Sequence, residues 1–434
     1  MRSVSKILFL CLVWITVLGQ AQPLALLPGD SYFEPYKAHL APKSGALMLK
    51  EGDRLAICGD SITEQKMYSR IMETYLTVCV PQLRITVRQF GWSGEKAPGF
   101  QARMTNDVLR FRPTIATTCY GMNDHRYRPF TDEIGREYEE SSRAIIQAFK
   151  THGVRVVQGS AGTVGKMPSW VRSADGTVQD LNLGLLALRN IDIRLAREEN
   201  VAFADVYLPM LVQGYVAQQQ YGKDYMITGK DGVHPGWAGQ VVMAYAFLKA
   251  FGLDGNLGEI TMNLSGGTTT VTGLHEVLDA SKGEVTVLSR QYPFCAEGPL
   301  GDDSSMRSGM EWVPFFQDLS RFVLKVREAE ALKYRVIWGE FEEVFTSDQL
   351  RAGINLADAF PVNPFSGAFQ KVDGAVAAKQ SYETRQIKQI FHGPEGRQEP
   401  ELAAALTEKV RAPLAEEIRK SFQPVKHTIR VVAE

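Results

Sequence analysis

Between Leu55 and about Leu253, short apolar runs alternate with stretches whose apolar residues recur at helical spacing. The strand-like runs are RLAICG, LRITVRQFG, TIATTCYG, VRVVQGS and VAFADVY, and helical stretches such as SRIMETYLTV and GREYEESSRAIIQAF separate them. Several of these strands are apolar throughout, which is typical of a parallel sheet covered by helices on both faces. We therefore predict an α/β domain over residues 22–254, built as a three-layer, doubly wound parallel sheet.

The pattern changes after GLDGNLGE, and residues 255–434 are predicted to form a second, C-terminal domain. Its first part is rich in Thr and Val, and RFVLKVREAEALKYRVIWG alternates with period two around a polar turn, which predicts antiparallel strands. Asn363 and Pro364 then predict the start of a helix that ends at Gly393. A second helix, about 401–422, and a final strand HTIRVVAE complete the prediction.

The N-terminus has the layout of a secretory signal peptide. Arg2 and Lys6 precede the apolar run ILFLCLVWITVLG, and the small residues of GQAQ follow it. The run is short for a membrane span, so we expect cleavage after Ala21 and a secreted or periplasmic protein without stable membrane association.

The charge composition of the chain limits the classes of ligand that it is expected to bind. With 48 basic and 49 acidic residues, the formal net charge is −1, which argues against a nucleic acid or an anionic membrane surface as the ligand. Four cysteines follow the predicted cleavage site, in apolar or aromatic settings without the close spacing of a disulfide scaffold or zinc site. We expect buried thiols, no metal and no cofactor, and the sequence predicts no particular oligomeric state.

Polar residues follow the predicted strands at the edge where parallel sheets bind ligands. Asp60 and Ser61 come directly after RLAICG, Gly94 lies in the loop FGWSGEKAPGF, and Asn123 follows TIATTCYG. Ser61 alone fits either a nucleophile or a simple helix cap. Asp231 and His234 lie in KDGVHPGWAG, where Pro235 holds the histidine in extended geometry before the next helix. Such a set supplies the hydroxyl, base, carboxylate and donors that acyl transfer requires.

In this order, the blocks GDSITE, GWSGE, GMND and DGVHP resemble the four signature blocks of the GDSL-type, or SGNH, serine hydrolases. The resemblance covers about residues 55–253 and implies a flavodoxin-like fold. It implies Ser61 as the nucleophile, His234 as the base and Asp231 as its partner. It also implies an oxyanion hole formed by the Ser61 and Gly94 backbone N–H groups and the Asn123 amide.

The sequence predicts only the class of substrate, which is a short acyl ester. The leading hypothesis is an O-acetyl group on a carbohydrate or polysaccharide. Trp92 and Trp237 flank two of the blocks and either line the substrate cleft or pack beneath the loops. His125 and Arg126, just after Asn123, either contact the substrate, including an anionic glycan, or belong to a solvated basic loop.

Other functions remain open from the sequence. The same site suits a lipase, a lysophospholipase or an acyltransferase. A metallophosphoesterase could use Asp60, Asn123 and His234 as ligands, although the expected further histidines are missing. The C-terminal domain could also make the protein a non-catalytic glycan-binding module.

Overall fold

The computed structural model describes residues 22–171 and 176–434. The predicted signal peptide, residues 1–21, lies outside this range. Within the described part of the chain, no helix is both long enough and apolar enough to cross a membrane.

The N-terminal domain is built on one five-stranded sheet in which every neighbouring pair is parallel, in the order β2-β1-β3-β4-β5. Its strands are β1 (Arg54–Gly59), β2 (Thr86–Gln89), β3 (Ile115–Cys119), β4 (Arg155–Gly159) and β5 (Ala202–Ala204). Its helices are α1 (Ser61–Glu64), α2 (Tyr68–Val78), α3 (Ala97–Asp107), α4 (Asp132–Thr151), α5 (Val178–Glu198), α6 (Tyr207–Tyr221) and α7 (Trp237–Ala250). The predicted fold class is confirmed, including the flavodoxin-like strand order.

Alternate residues of β1 show why the strands carry apolar side chains on both faces. Leu55 and Ile57 join the buried cluster that contains α2 and α7. Ala56 and Cys58 join a separate cluster that contains α3 and α4. Because successive side chains of a strand point to opposite faces, this division is what a sheet between two helical layers produces.

The segment after β1 forms two helices rather than one. The chain forms the one-turn α1, breaks at Lys66 with a φ of 60°, and restarts as α2. A φ of this sign does not fit a right-handed helix, so the two helices are separate elements. Ile71 and Tyr75 of α2 are nevertheless fully buried, as the amphipathic pattern predicts.

The C-terminal domain contains two sheets, with the orders β13-β10-β6-β7 and β12-β11-β14-β9-β8. Its strands are β6 (Asn256–Asn263), β7 (Thr269–Val271), β8 (His275–Ser281), β9 (Glu284–Ser289), β10 (Arg321–Arg327), β11 (Lys333–Trp338), β12 (Phe341–Thr346), β13 (Ile354–Asn355) and β14 (Val425–Ala433). Its helices are α8 (Met306–Gly309), α9 (Phe315–Leu319), α10 (Ser347–Ala352), α11 (Leu356–Ala359), α12 (Ser366–Arg385), α13 (Pro394–Gln398) and α14 (Pro400–Ser421).

The expectation that RFVLKVREAEALKYRVIWG belongs to purely antiparallel material is wrong. Its two halves, β10 and β11, lie in different sheets, and β10 pairs with β6 in parallel. The larger sheet is antiparallel throughout. Period-two alternation reports one buried face of a strand, whereas the choice of partner strand is set by tertiary packing.

The helix predicted to run from Asn363 to Gly393 is α12 followed by a π-helical turn, Gln386–Phe391. Asn363 shapes the start, because its Oδ1 accepts from the Phe365 N–H at 3.0 Å. The next predicted helix, about 401–422, corresponds to α14.

Helices α12 and α14 cover the exposed edge of the N-terminal sheet at β2. The Val87 carbonyl accepts from Lys379 Nζ at 2.6 Å and from Arg411 Nη2 at 3.0 Å. The Gln89 N–H donates to Glu383 Oε2 at 3.1 Å. Side chains of the C-terminal domain thus satisfy backbone groups that an edge strand leaves without a partner strand.

All four cysteines in the described part of the chain are buried and free, as the sequence suggested: Cys58, Cys79, Cys119 and Cys295. Burial raises the pKa of each thiol. These groups are therefore protonated and contribute to packing.

A chain of hydrogen bonds in the C-terminal domain fixes two neutral histidines. The Trp338 indole N–H donates to His427 Nδ1 at 3.0 Å, so the His427 proton lies on Nε2, which is 2.9 Å from Ser289 Oγ. Ser289 Oγ is in turn 2.7 Å from His275 Nδ1, and His275 Nε2 is 2.7 Å from the Leu257 carbonyl. A proton added to His427 Nδ1 would face the Trp338 N–H and break this order.

This arrangement predicts acid-sensitive stability. Burial lowers the pKa of His427 to about 3, and His275 acts in the same direction. Because the unfolded pKa is near 6.5, the stabilisation is complete above that pH and is lost as the pH falls from about 6.5 towards 3. Between pH 7.5 and 5.0, the unfolding free energy from urea titration should fall about 2 kcal/mol more in the wild type than in His427→Gln. Equal losses in both proteins would contradict this assignment.

Candidate active site

The carboxyl ends of β1 and β3 and the loop before α7 bring the predicted residues to one edge of the sheet. Ser61 is the first residue of α1, directly after β1 and Asp60. Its Oγ lies 2.7 Å from His234 Nε2, although 173 positions separate the two residues. The hydroxyl is therefore within hydrogen-bond distance of a nitrogen that can take its proton.

Asp231 fixes the orientation of the His234 ring. Its Oδ2 lies 2.7 Å from His234 Nδ1, and its Oδ1 accepts from the N–H groups of Val233 and His234, both at 2.9 Å. Partial burial pushes the pKa of Asp231 upward, but these hydrogen bonds outweigh it and hold the pKa below its ordinary value. The ionised carboxylate accepts the Nδ1 proton, which leaves Nε2 free to accept the Ser61 hydroxyl.

Two glycines allow the loops of the site to contact each other closely. A Cβ on Gly59 would lie 2.1 Å from Thr63 Oγ1 and 2.9 Å from the Cys119 carbonyl. A Cβ on Gly91 would lie 2.2 Å from the Glu64 N atom. The turn that presents Ser61 and the loop that carries Gly94 are thus packed against the same short helix, α1.

The predicted oxyanion donors lie in three different elements. Gly94 is exposed and has a φ of 75°, in a region that favours glycine, and a Cβ there would meet no atom within 4 Å. The Asn123 amide donates to the Glu95 carbonyl at 3.1 Å, which holds the side chain between the second and third blocks. Ser61 places its own N–H beside its hydroxyl.

Two buried carboxyl groups shape the surrounding loops. Asp60 accepts from the Ile62 N–H at 2.9 Å, and Asp124 accepts from the N–H groups of Ala97 and Gly121, both at 2.9 Å. Burial raises the pKa of Asp60 to about 7 and that of Asp124 to about 6. These hydrogen bonds to backbone N–H groups give both residues a structural role.

The four residues predicted as possible substrate contacts have varied surroundings. Trp92 packs against His392 of the C-terminal domain, with ring centroids 4.7 Å apart, and Trp237 lies under the Arg70 guanidinium. Burial lowers the pKa of His125 to about 4, and its Nε2 has no partner in the described part of the chain.

Arg126 forms salt bridges with Glu133, at 3.1 Å, and with Glu137. These acidic partners already balance its charge, so the structure gives little support to a role in attracting anionic glycans.

Sequence reasoning missed Trp170 and Tyr127. The Trp170 ring is 5.7 Å from the His234 ring and meets Tyr127 edge to face at 6.2 Å. Tyr127 in turn packs on His125 at 4.5 Å. Trp170 remains 45% exposed, so an accessible aromatic surface, formed by Trp170 and Tyr127, borders the histidine. Neither residue lies in a recognisable block, and no signal in the sequence links Trp170 to the site.

Among residues 22–171 and 176–434, no group of three or more His, Cys, Asp or Glu side chains is placed to hold a metal ion. The metallophosphoesterase alternative therefore gains no support from the geometry of the described side chains.

Comparison with known proteins supports the family resemblance that the four sequence blocks suggested. Residues 57–242 match the model of the GDSL-like lipase/acylhydrolase family. The N-terminal domain belongs to this family. The resemblance stated from the four blocks is thereby confirmed, and the domain is called the GDSL domain below. No curated protein matches the chain significantly.

Solved structures extend the similarity beyond the GDSL domain. A gut microbial diltiazem-metabolizing enzyme aligns with 90% of this chain and 100% of its own at 19% identity and a TM-score of 0.72. An acetylxylan esterase from Geobacillus stearothermophilus aligns at 22% identity over 47% of this chain and 96% of its own, with a TM-score of 0.39. A GDSL-like lipase from Parabacteroides merdae aligns at 21% identity over 48% of this chain and 99% of its own, with a TM-score of 0.40. The first of these shows a shared fold that includes the C-terminal domain.

The contacts of Gly59 predict a specific folding defect. Gly59→Ala should lower the free energy of unfolding by about 1–3 kcal/mol, since the added methyl group meets backbone as well as side-chain atoms. Gly214→Ala, in α6, is the control, because a Cβ there meets nothing within 4 Å and should stabilise the helix by up to about 1 kcal/mol. Denaturant unfolding measures both; equal stability of the two variants would refute the packing argument.

Proposed function

We propose that this protein is an exported serine esterase that removes short acyl groups, chiefly O-acetyl groups, from a carbohydrate or polysaccharide. The observation that carries the proposal is the hydrogen-bonded series Ser61, His234 and Asp231, with 2.7 Å at each step. Membership of the GDSL domain in a lipase/acylhydrolase family supports ester hydrolysis. The signal-peptide pattern of residues 1–21 supports export.

In the proposed first step, Ser61 Oγ attacks the ester carbonyl carbon while His234 Nε2 takes the hydroxyl proton. The Ser61 and Gly94 N–H groups and the Asn123 amide donate to the carbonyl oxygen as it becomes negative. When the C–O bond breaks, His234 returns the proton to the departing alcohol. An acyl group is then bound covalently to Ser61.

The second half repeats the chemistry with water. His234 Nε2 takes a proton from the water molecule that attacks the acyl carbon, and the same three donors hold the oxyanion. Collapse of the tetrahedral intermediate releases the carboxylic acid and returns the proton to Ser61. Asp231 stabilises the imidazolium in both halves through Nδ1.

The aromatic surface beside His234 supports a carbohydrate as the alcohol part. Trp170 and Tyr127 offer ring faces and polar edges beside the His234 ring, a combination that suits a ligand with both apolar C–H faces and hydroxyl groups.

Loss of the nucleophile tests the reaction. Ser61→Ala should reduce ester turnover by at least about a thousandfold, because the hydroxyl forms the covalent intermediate. The assay uses acetylated xylo-oligosaccharides together with acetyl and long-chain acyl nitrophenyl esters. Preference for long acyl chains would favour the lipase alternative, and transfer to an added alcohol in place of water would favour an acyltransferase. Equal glycan binding without turnover in both proteins would indicate a binding module.

The aromatic surface is tested by Trp170→Ala. We expect KM for an acetylated oligosaccharide to rise about tenfold, while kcat/KM for nitrophenyl acetate changes less than about twofold, since the small ester has no sugar ring to pack on Trp170. Trp237→Phe is the matched control, because it retains an aromatic ring outside this surface. A parallel change for both substrates would count against a carbohydrate-binding role.

A further inference from the structure

The C-terminal domain contacts the GDSL domain beside the loop that carries Gly94. We propose that Lys388, in the π-helical turn after α12, is a positioning residue that holds the oxyanion loop, defined here as residues 91–95. This inference rests on the proposed function, because it assigns Gly94 to the oxyanion hole. It gives the C-terminal domain a role in catalysis that the family blocks do not contain.

The connection from Lys388 to the oxyanion loop passes through one carboxylate. Lys388 Nζ lies 2.8 Å from both Glu64 Oε atoms. Glu64 Oε2 also accepts from the Ser93 N–H at 2.5 Å and from Ser93 Oγ at 2.6 Å. Ser93 directly precedes Gly94, and Glu64 ends the one-turn helix that begins with Ser61. A single side chain therefore ties the nucleophile's helix to the oxyanion loop.

The partly buried environment of Glu64 makes Lys388 important for keeping the carboxylate in place. The side chains of Lys388 and Glu64 are only 27% and 19% exposed. Burial raises the pKa of Glu64, but the hydrogen bonds from Lys388 and Ser93 outweigh it and bring the pKa below its ordinary value. Without Lys388, a partly buried carboxylate would lose its paired cation, and it would gain by turning towards water and releasing Ser93.

The oxyanion loop needs such support because its own packing is sparse at the critical point. Ser93 and Gly94 are both exposed, and a Cβ added at Gly94 would meet no atom within 4 Å. Gly91 contacts α1 at one end of the loop, and Glu95 is held by Arg103 at the other. Between these two ends, the Glu64 carboxylate holds the backbone at Ser93.

The π-helical turn and His392, the residue that follows it, reach the loop by a second route. The Trp92 ring contacts both Lys388, whose Nζ is 5.3 Å from the ring centroid, and His392, whose ring centroid is 4.7 Å away. His392 Nε2 is also 2.8 Å from Asp107, which pairs with Arg103. Lys388 and His392 therefore both contact the residue that precedes Ser93 in the oxyanion loop. π-helical turns inside helices are frequent at functional sites.

Kinetics of Lys388→Met test the proposal. We expect kcat for nitrophenyl acetate to fall about tenfold or more with KM within about twofold, because a displaced donor weakens the transition state more than substrate binding. Affinity for a boronic acid that forms a tetrahedral adduct should fall in proportion to kcat. Lys388→Arg should retain most of the activity, since a guanidinium can also pair with Glu64.

Lys371→Met is the matched control, because this exposed lysine on α12 forms no salt bridge with a described residue. Hydrogen exchange adds a readout that is independent of turnover. Backbone amides of residues 91–95 should exchange faster in Lys388→Met than in the wild type and in Lys371→Met, with the global melting temperature within about 2 °C.

Unchanged kcat and unchanged exchange in Lys388→Met would overturn the positioning role, even if Ser61→Ala abolishes turnover. Equal losses in Lys388→Met and Lys388→Arg, accompanied by general destabilisation, would also overturn it. A wild type that hydrolyses no ester would instead refute the proposed function, and exchange at residues 91–95 would then decide whether Lys388 holds the loop.

Discussion

The candidate active site depends on a close backbone contact around one helical turn. Helix α1 has no room for a side chain at Gly59 on one side or at Gly91 on the other. Because these contacts involve the main chain, they leave little freedom for the position of Ser61 relative to the oxyanion loop. The long separation in sequence between Ser61 and His234 is then bridged by the parallel sheet, which ends its strands at one edge.

Buried charges fix how the C-terminal domain sits on the GDSL domain. Lys379 of α12 lies 2.8 Å from Glu73 of α2 and 2.9 Å from Glu383, and all three side chains are almost completely buried. Arg411 of α14 also contacts Glu383, at 2.7 Å. A shifted docking would leave at least one of these charges buried without its partner, at a cost of several kcal/mol. This constraint places the π-helical turn, and with it Lys388, at a defined position beside the oxyanion loop.

Local sequence patterns were sufficient to predict the fold of the GDSL domain and to recognise its four blocks. Runs such as RLAICG are apolar on both faces, and three of the four blocks follow strand ends while DGVHP precedes a helix, so the sequence predicts which residues share an edge. The pairing of β10 with β6 was not predictable in this way, because strand partners depend on packing between distant segments. Sequence analysis did not identify Trp170 or Lys388 for the same reason. Each residue reaches the candidate site through a tertiary contact, and such a contact leaves no periodic pattern in the sequence.

The cover that α12 and α14 place over β2 has a consequence for association between molecules. A parallel sheet with an open side presents a row of amide and carbonyl groups that can recruit a strand from another chain. Here the backbone groups of Val87 and Gln89 already have hydrogen-bond partners in long charged side chains, and an incoming strand would have to displace them. At the far side, β5 is only three residues long and offers a poor template. The domain that packs beside the candidate active site thereby also protects the sheet from edge-to-edge aggregation.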